Sequence, residues 1–473
     1  MIPMTLAEIA DIVGGALHGP ADLVISAPAY VDSREPVAGG LFVAVVGERV
    51  DGHEYVADAH AVLGSRPTDR PTVVVDDPVA ALGLLARHVV DTLAVPVLAM
   101  TGSQGKTGTK DYLAGVLRAI HGEAAVVATA GNNNNELGVP LTVLRATTET
   151  RFLVVEMGAR GIGHIAQLCR IAPPTVAAFL NVGSAHVGEF GGQANIALAK
   201  SEIVEALDDD GTAVINADDH YAKQWMGDHR GRNVPFGVQA AVTWRFVELD
   251  DLGRPSFSLG VAREDRGYDL YPVSLRQIGA HQVLNAAAAA AMAIAVGCDP
   301  AEVAAALSTV EPSSRWRMEL SERADGLVLI NDSYNANPES MRAGLEALVA
   351  VGERSGRRTV AVLGEMRELG SEHEAGHRSV GRAAAELGVD VLVVVGEPAA
   401  PMAADLAEAS TEVILTPGRS EAADWLRQNA RPTDVVLVKA SRGAALEWIA
   451  EQLLTTDQPD PAPDQSQSQE DPR

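Results

Sequence analysis

Residues 101–110, TGSQGKTGTK, constrain this chain more than any other stretch. They follow an apolar run, AVPVLAM at 94–100, which reads as a buried parallel strand. They precede residues 111–120, which read as a helix. Strand, glycine-rich turn and helix in that order make a phosphate-binding loop. Gly102 and Gly105, on either side of Ser103, let the backbone turn tightly with its N–H groups pointing inward. The helix N-terminus adds positive potential. Lys106 would reach the outer phosphates of a nucleotide, and the Thr107 hydroxyl would hold Mg2+. The general pattern G-x-x-x-x-G-K-[ST] wants a glycine where Met100 stands, so this loop is a shortened G-x-x-G-K-T.

The rest of the chain must supply a scaffold and a reaction. Its 473 residues suggest two to four domains. A net charge of -26 argues against tracking a nucleic-acid backbone, so a nucleotide site must gather its cations locally. Cys169 and Cys298 give neither a disulfide framework nor a metal cluster. The opening MIPMTLAEIADIVGG lacks a basic leader segment. The most apolar stretch, 283–296, is too short to span a bilayer and carries Asn285. The expectation is a cytoplasmic protein without nucleic-acid or membrane partners. A monomer is the simplest expectation, although no residue pattern speaks to oligomeric state.

Along the chain, residues 4–13 read as a short helix capped by Thr5. Short strands and turns follow, with a strand at 71–75 and a helix at 78–92, so residues 1–93 make a small α/β module. From 94 the rhythm is strand, helix, strand: 126–129, 151–156, 175–180 and 212–216 alternate with helical patterns, as in a mostly parallel sheet covered on both faces. Residues 242–271 read as antiparallel strands appended to it, and 281–296 as a strong helix. A third module, 312–455, repeats the alternation with strands at 327–330, 359–363, 389–395, 412–415 and 434–439, a second doubly wound unit. Residues 456–473 hold no apolar anchor and read as disordered. The fold class is therefore α/β in three domains, 1–93, 94–311 and 312–455, followed by a tail.

Several constellations add chemistry. Residues 131–140, GNNNNELGVP, put four asparagines, Asn134 and Asn135 among them, in a loop where α/β folds hold ligands. An ordinary polar turn explains them equally well. Glu156 closes an apolar strand beside the phosphate loop, where a Mg2+ ligand is needed, although a capping acid reads the same way. His186 follows another such strand in a glycine-rich loop. Lys200 lies on the helix beyond, where a solvated lysine is the ordinary reading. Asn285 is a polar residue on an alanine-rich helix. Buried, it needs partners, and an adenine edge or a packing hydrogen bond would serve.

Taken together, TGSQGKTGTK, GNNNNELGVP, VVEMGARGIGHI, NVGSAHVGEFG, AKSEI, HQVLNAAAA, SRWRME, NDSYNANPESM, LGEMRELG and VKASRGAALE resemble the Mur ligases of peptidoglycan synthesis, over about residues 32–447. NDSYNANPESM and LGEMRELG resemble the member that joins D-alanyl-D-alanine to a UDP-N-acetylmuramoyl-tripeptide. The resemblance implies a first domain for the UDP end of the substrate, a central ATP-binding domain, and a dinucleotide-binding-like third domain that closes over the site. The motif around Ser33 and residues 40–44 match the UDP-binding signature. The resemblance implies that Lys106 meets the γ-phosphate and that Thr107, Glu156 and His186 are Mg2+ ligands. It implies that Lys200 is carbamylated, that Asn285 contacts adenine and that Arg317 reaches a nucleotide phosphate. Asp332 would contact ribose, with Tyr334, Asn335 and Asn337 nearby, and Asn134 and Asn135 would face substrate. Arg315, two residues before Arg317, competes for the phosphate role.

The implied reaction is ATP-driven amide formation. A substrate carboxylate attacks the γ-phosphate, and the amine of the dipeptide attacks the resulting acyl phosphate. A sister Mur ligase or a folylpolyglutamate synthase-like ligase would use the same loop on other substrates. A regulatory nucleotide switch would not need Glu156, His186 and Lys200 together.

Overall fold

The computed structural model describes residues 1–47, 50–183, 190, 192–311 and 314–455. Its contacts divide the chain into two compact units, one of residues 1–250 and 254–314, the other of residues 251–253 and 315 onward.

The first unit is organised on a nine-stranded sheet. Its order is Val126–Ala128, Phe152–Glu156, Val97–Thr101, Val176–Phe179, Thr212–Asn216, Arg232–Phe236, Val242–Leu249, Pro255–Ala262 and Tyr268–Ser274. Pairing is parallel as far as Val242 and antiparallel beyond it. The strands alternate side chains between two apolar layers, as the pleat requires. Leu98, Met100, Val154, Ala178 and Val214 face the helices Lys106–His121, Gln282–Ala295 and Pro300–Leu307. Val97, Ala99, Leu153, Val155, Phe179 and Ile215 face the helices Pro78–Leu93, Gly138–Val143, His164–Ile171 and Gln193–Glu205. The parallel strands therefore read as unbroken apolar runs because both faces are covered.

A five-stranded sheet precedes it, in the order Ala16–His18, Thr72–Val74, Ala61–Gly64, Leu41–Val43 and Ala29–Tyr30. The helix Leu6–Val13 starts at a capping box in which Thr5 and Glu8 exchange hydrogen bonds. The helix Pro78–Leu93 packs against Leu6–Val13 on one side and Gly138–Val143 on the other, so one apolar core runs from the small sheet into the large one.

The second unit holds a six-stranded sheet ordered Glu319–Glu322, Val328–Asp332, Asp434–Lys439, Arg358–Leu363, Val391–Val395 and Glu412–Thr416. Only its first pairing is antiparallel. Helices Arg419–Asn429 and Glu447–Thr455 cover one face through Leu426, Ile449 and Leu453. Helix Pro338–Ser355 covers the other through buried Met341, Leu345 and Leu348. This is the doubly wound arrangement expected from the alternation.

Among the described residues, six strands escape the sequence reading: Met4–Thr5, Ala16–His18, Ala29–Tyr30, Ala61–Gly64, Arg232–Phe236 and Glu319–Glu322. Each is short and carries a polar, glycine or proline residue that weakens the pattern. The expected disordered tail at 456–473 lies outside the described residues, as do residues 312 and 313 at the start of the expected third domain. Among the described residues, no helix is long and apolar enough to cross a membrane.

Candidate active site

The strand Val97–Thr101 runs one residue further than the motif suggests. Met100 pairs with Glu156 on one side and Ala178 on the other, fully buried. The turn is thus confined to residues 102–105, which explains why no glycine is needed at 100. Gly105 takes φ 77° and begins the helix Lys106–His121 without a capping side chain, the arrangement in which a bound anion takes that role. Lys106, half-buried rather than solvent-facing, curls back so that Nζ donates to Gly102 O at 2.7 Å. Ser103 Oγ is buried without a partner in this loop.

A residue that sequence reasoning missed holds the turn. Asn181 follows the neighbouring strand Val176–Phe179 by two positions. Its carbonyl accepts from Ser103 N at 3.1 Å, its Oδ1 accepts from Gln104 N at 2.9 Å, and its Nδ2 donates to Gln104 O at 3.1 Å. Its signal was the first polar residue after an apolar strand, the same signal that singled out Glu156.

Glu156 is 1% exposed. Its Oε2 accepts from Thr107 Oγ1 at 2.9 Å and its Oε1 from Asn134 Nδ2 at 2.8 Å. Lys106, Thr107, Glu156 and Asn134 are thereby gathered at the carboxyl ends of adjacent parallel strands. Asn135 serves its own loop instead, its Oδ1 accepting from Gly138 N at 2.9 Å. Lys200 is 5% exposed, which removes the solvated reading. Burial, with the positive charge of Lys106 as a second cause, holds its amine well below the ordinary lysine range. Asn285 packs on the loop. A Cβ at Gly105 would stand 2.5 Å from its Oδ1, and one at Gly108 2.7 Å from its Nδ2, which also donates to Gln282 Oε1 at 3.0 Å. His186 lies outside the described residues. Ser33 sits on the turn after the strand Ala29–Tyr30, beside an Asp32–Arg34 ion pair.

In the second unit, Asp332 ends its strand. Its Oδ1 accepts from Met318 N at 3.1 Å and its Oδ2 from the buried Lys439 Nζ at 2.5 Å. Lys439 also donates to Asn335 O at 2.9 Å. Lys439 was missed, though it closes an apolar strand just as Glu156 does. Arg317 lies 4.1 Å over the Tyr334 ring, whereas Arg315 and Arg442 stack on Trp316. Asn337 caps the helix Pro338–Ser355. Ser441 bridges two motif loops, accepting from Arg367 N and donating its own N–H to Glu365 O, each at 2.9 Å.

Residues 100–293 match the model of the Mur ligase middle domain, and residues 316–442 match the Mur ligase glutamate ligase domain. UDP-N-acetylmuramoyl-tripeptide–D-alanyl-D-alanine ligase of Mycobacterium tuberculosis is 41% identical, covering 97% of this chain and 99% of that protein. This chain belongs to the Mur ligase family. The same-named ligase of Escherichia coli is 35% identical, with 96% and 99% covered. Among solved structures, MurF from Acinetobacter baumannii superposes with a TM-score of 0.84 at 32% identity, covering 96% of this chain and 99% of that one. MurF from Thermotoga maritima in complex with ADP superposes with 0.76 at 30% identity, with 91% and 97% covered.

The residues of this Mur ligase fit Mg2+. The metal takes oxygen ligands in a near-octahedral shell at about 2.1 Å, so neighbouring ligands stand about 3 Å apart. Thr107 Oγ1 and Glu156 Oε2 are both oxygens, 2.9 Å apart. The loop itself allows one sharp test. Gly105→Ala places a Cβ at a positive φ, costing about 1–2 kcal/mol, against an Asn285 side chain already held by Gln282. We expect a lower melting temperature and weakened ADP binding by calorimetry. An alanine variant that binds ADP as wild type does would show that the loop tolerates a side chain there.

Proposed function

We propose that this Mur ligase joins D-alanyl-D-alanine to the terminal carboxylate of UDP-N-acetylmuramoyl-tripeptide, with ATP cleaved to ADP and phosphate. The observation that carries the reading is the gathering of Lys106, Thr107, Glu156 and Asn134 around the phosphate loop in a chain similar along its whole length to ligases of that name. In the three-domain reading, residues 1–93 receive the UDP end of the substrate, residues 94–311 bind ATP, and residues 312–455 form the third domain.

The difficulty of the first step is that a carboxylate must approach a polyphosphate, so positive potential has to be concentrated there. Lys106 is the loop's cation for the γ-phosphate, and its carbonyl partner at Gly102 keeps Nζ inside the turn until phosphate oxygens take over. Thr107 and Glu156 hold Mg2+, with His186 in the same set. When bound, that ion neutralises phosphate charge and fixes its orientation. Gly102, Ser103 and Gly105 cradle the phosphates, and Asn285 and Asn335 serve the nucleotide. Arg317, rather than Arg315, is assigned the phosphate role, because it stacks on Tyr334 while its neighbour Met318 donates its N–H to the proposed ribose contact Asp332. Ser33, Asn134 and Asn135 are assigned to the UDP-linked substrate. Well-oriented reactants account for about 7–11 kcal/mol of barrier lowering in such reactions.

Lys200 is proposed to carry a carbamate. Its neutral amine attacks the carbon of CO2 and releases one proton, giving an anionic head with two oxygens. An oxygen ligand suits Mg2+ better than an amine does.

Supplying UDP-tripeptide and ATP with either D-alanyl-D-alanine or single amino acids, and weighing the product, tests the specificity. A mass gain of one dipeptide is expected. Addition of a single amino acid, with the dipeptide refused, would point to a sister ligase.

A further inference from the structure

Lys110 is a charged residue that the reaction does not use, yet it is buried at 4% exposure on the helix that begins at the phosphate loop. It pairs with Asp111, itself 7% exposed, at 2.7 Å. Removing two charges from water is costly unless the geometry gives something back. Here the geometry closes a ring. Lys110 Nζ donates to Thr129 O at 3.0 Å. The Thr129 hydroxyl accepts from Glu156 N at 3.0 Å. The Glu156 carboxylate accepts from the Thr107 hydroxyl at 2.9 Å. Thr107 and Lys110 lie three residues apart on one helix and therefore share a face.

We propose that Lys110 is a positioning residue for the Mg2+ site. It ties the helix to the end of the strand Val126–Ala128, and through Thr129 it fixes the backbone from which Glu156 reaches Thr107. Without the tie, the helix keeps its apolar packing on the sheet but loses the polar link that holds Thr129, and with it the Glu156 backbone, in register with Thr107. Because Lys110 is neutralised by Asp111, it stiffens this frame without setting an unbalanced positive charge beside the metal. Partners that orient metal ligands commonly alter metal affinity by about 10–100-fold. This proposal rests on the assignment of Thr107 and Glu156 to Mg2+.

The test reads binding rather than turnover. ADP affinity of the full chain is measured by calorimetry with Mg2+ and again in EDTA, and the ratio is the Mg2+ increment. Lys110→Met alone would strand the Asp111 carboxylate, so the charge pair is removed whole in Lys110→Met/Asp111→Asn. A second variant, Thr129→Val, cuts the ring elsewhere and keeps the pair. Both are expected to lower the Mg2+ increment roughly tenfold or more while keeping affinity in EDTA within about twofold. Lys110→Arg should recover part of the loss. If Thr129→Val keeps the wild-type increment, or loses affinity equally in EDTA, the ring is only scaffold and the proposal fails. A wild-type protein with no Mg2+ increment would remove the metal assignment itself, a different failure.

Discussion

Lys106→Ala is expected to abolish ADP formation while the fold survives. Lys106 is half-buried, and its side-chain hydrogen bond to Gly102 O lies within the turn it serves. The turn is held independently by the three Asn181 bonds to Ser103 and Gln104. Truncation therefore removes a cation and leaves the loop its anchor. Deleting a single preorganised charge-stabilising donor typically costs about 10²–10³ in rate. The charge that Lys106 exerts on Lys200 is lost as well. The measurement is ADP release by the variant, with circular dichroism and melting temperature as controls for folding. Activity above a tenth of wild type would take this loop out of the mechanism.

Lys200→Ala is expected to be nearly inactive and to recover in part when a small carboxylic acid is added. The amine is buried, and both causes acting on it, burial first and Lys106 second, favour its neutral form. A neutral amine is what CO2 requires, and a carbamate at Lys200 would offer the proposed metal site an anionic pair of oxygens. Formate or acetate could occupy the vacated position with a similar pair of oxygens. Intact-protein mass, or carbon-13 spectroscopy in labelled bicarbonate, reads the carbamate directly in wild type. Full activity of the alanine variant would overturn the assignment, and so would a bare amine in a competent nucleotide-bound enzyme.

What the sequence made legible were features with a local physical signature. Glu156 stood out because a carboxylate ending an apolar strand has nowhere to go but the sheet's carboxyl edge. The phosphate loop stood out because strand, glycines and helix occur in order. Lys110 and Lys439 stayed hidden for the opposite reason. A lysine on a helix or at a strand end reads as solvated, and only the pairing of Lys110 with Asp111 and of Lys439 with Asp332 makes burial tolerable. Asp332 lies 107 residues from Lys439, and although Asp111 adjoins Lys110 in the chain, only the fold shows that both are buried. Asn181 was overlooked because its function is to hold other residues' backbone. The loop at Met100 illustrates the same limit, since one further residue of strand pairing shortened the turn beyond what a motif could convey.

The proposed activity couples ATP cleavage to amide formation between two specific substrates. ADP release measured with ATP and Mg2+ tests it most directly, with UDP-N-acetylmuramoyl-tripeptide alone, D-alanyl-D-alanine alone, and both together. Rapid ADP release is expected only with both, in step with one new amide bond per ADP. ADP release at the same rate without either substrate, or with any single amino acid in place of the dipeptide, would contradict it.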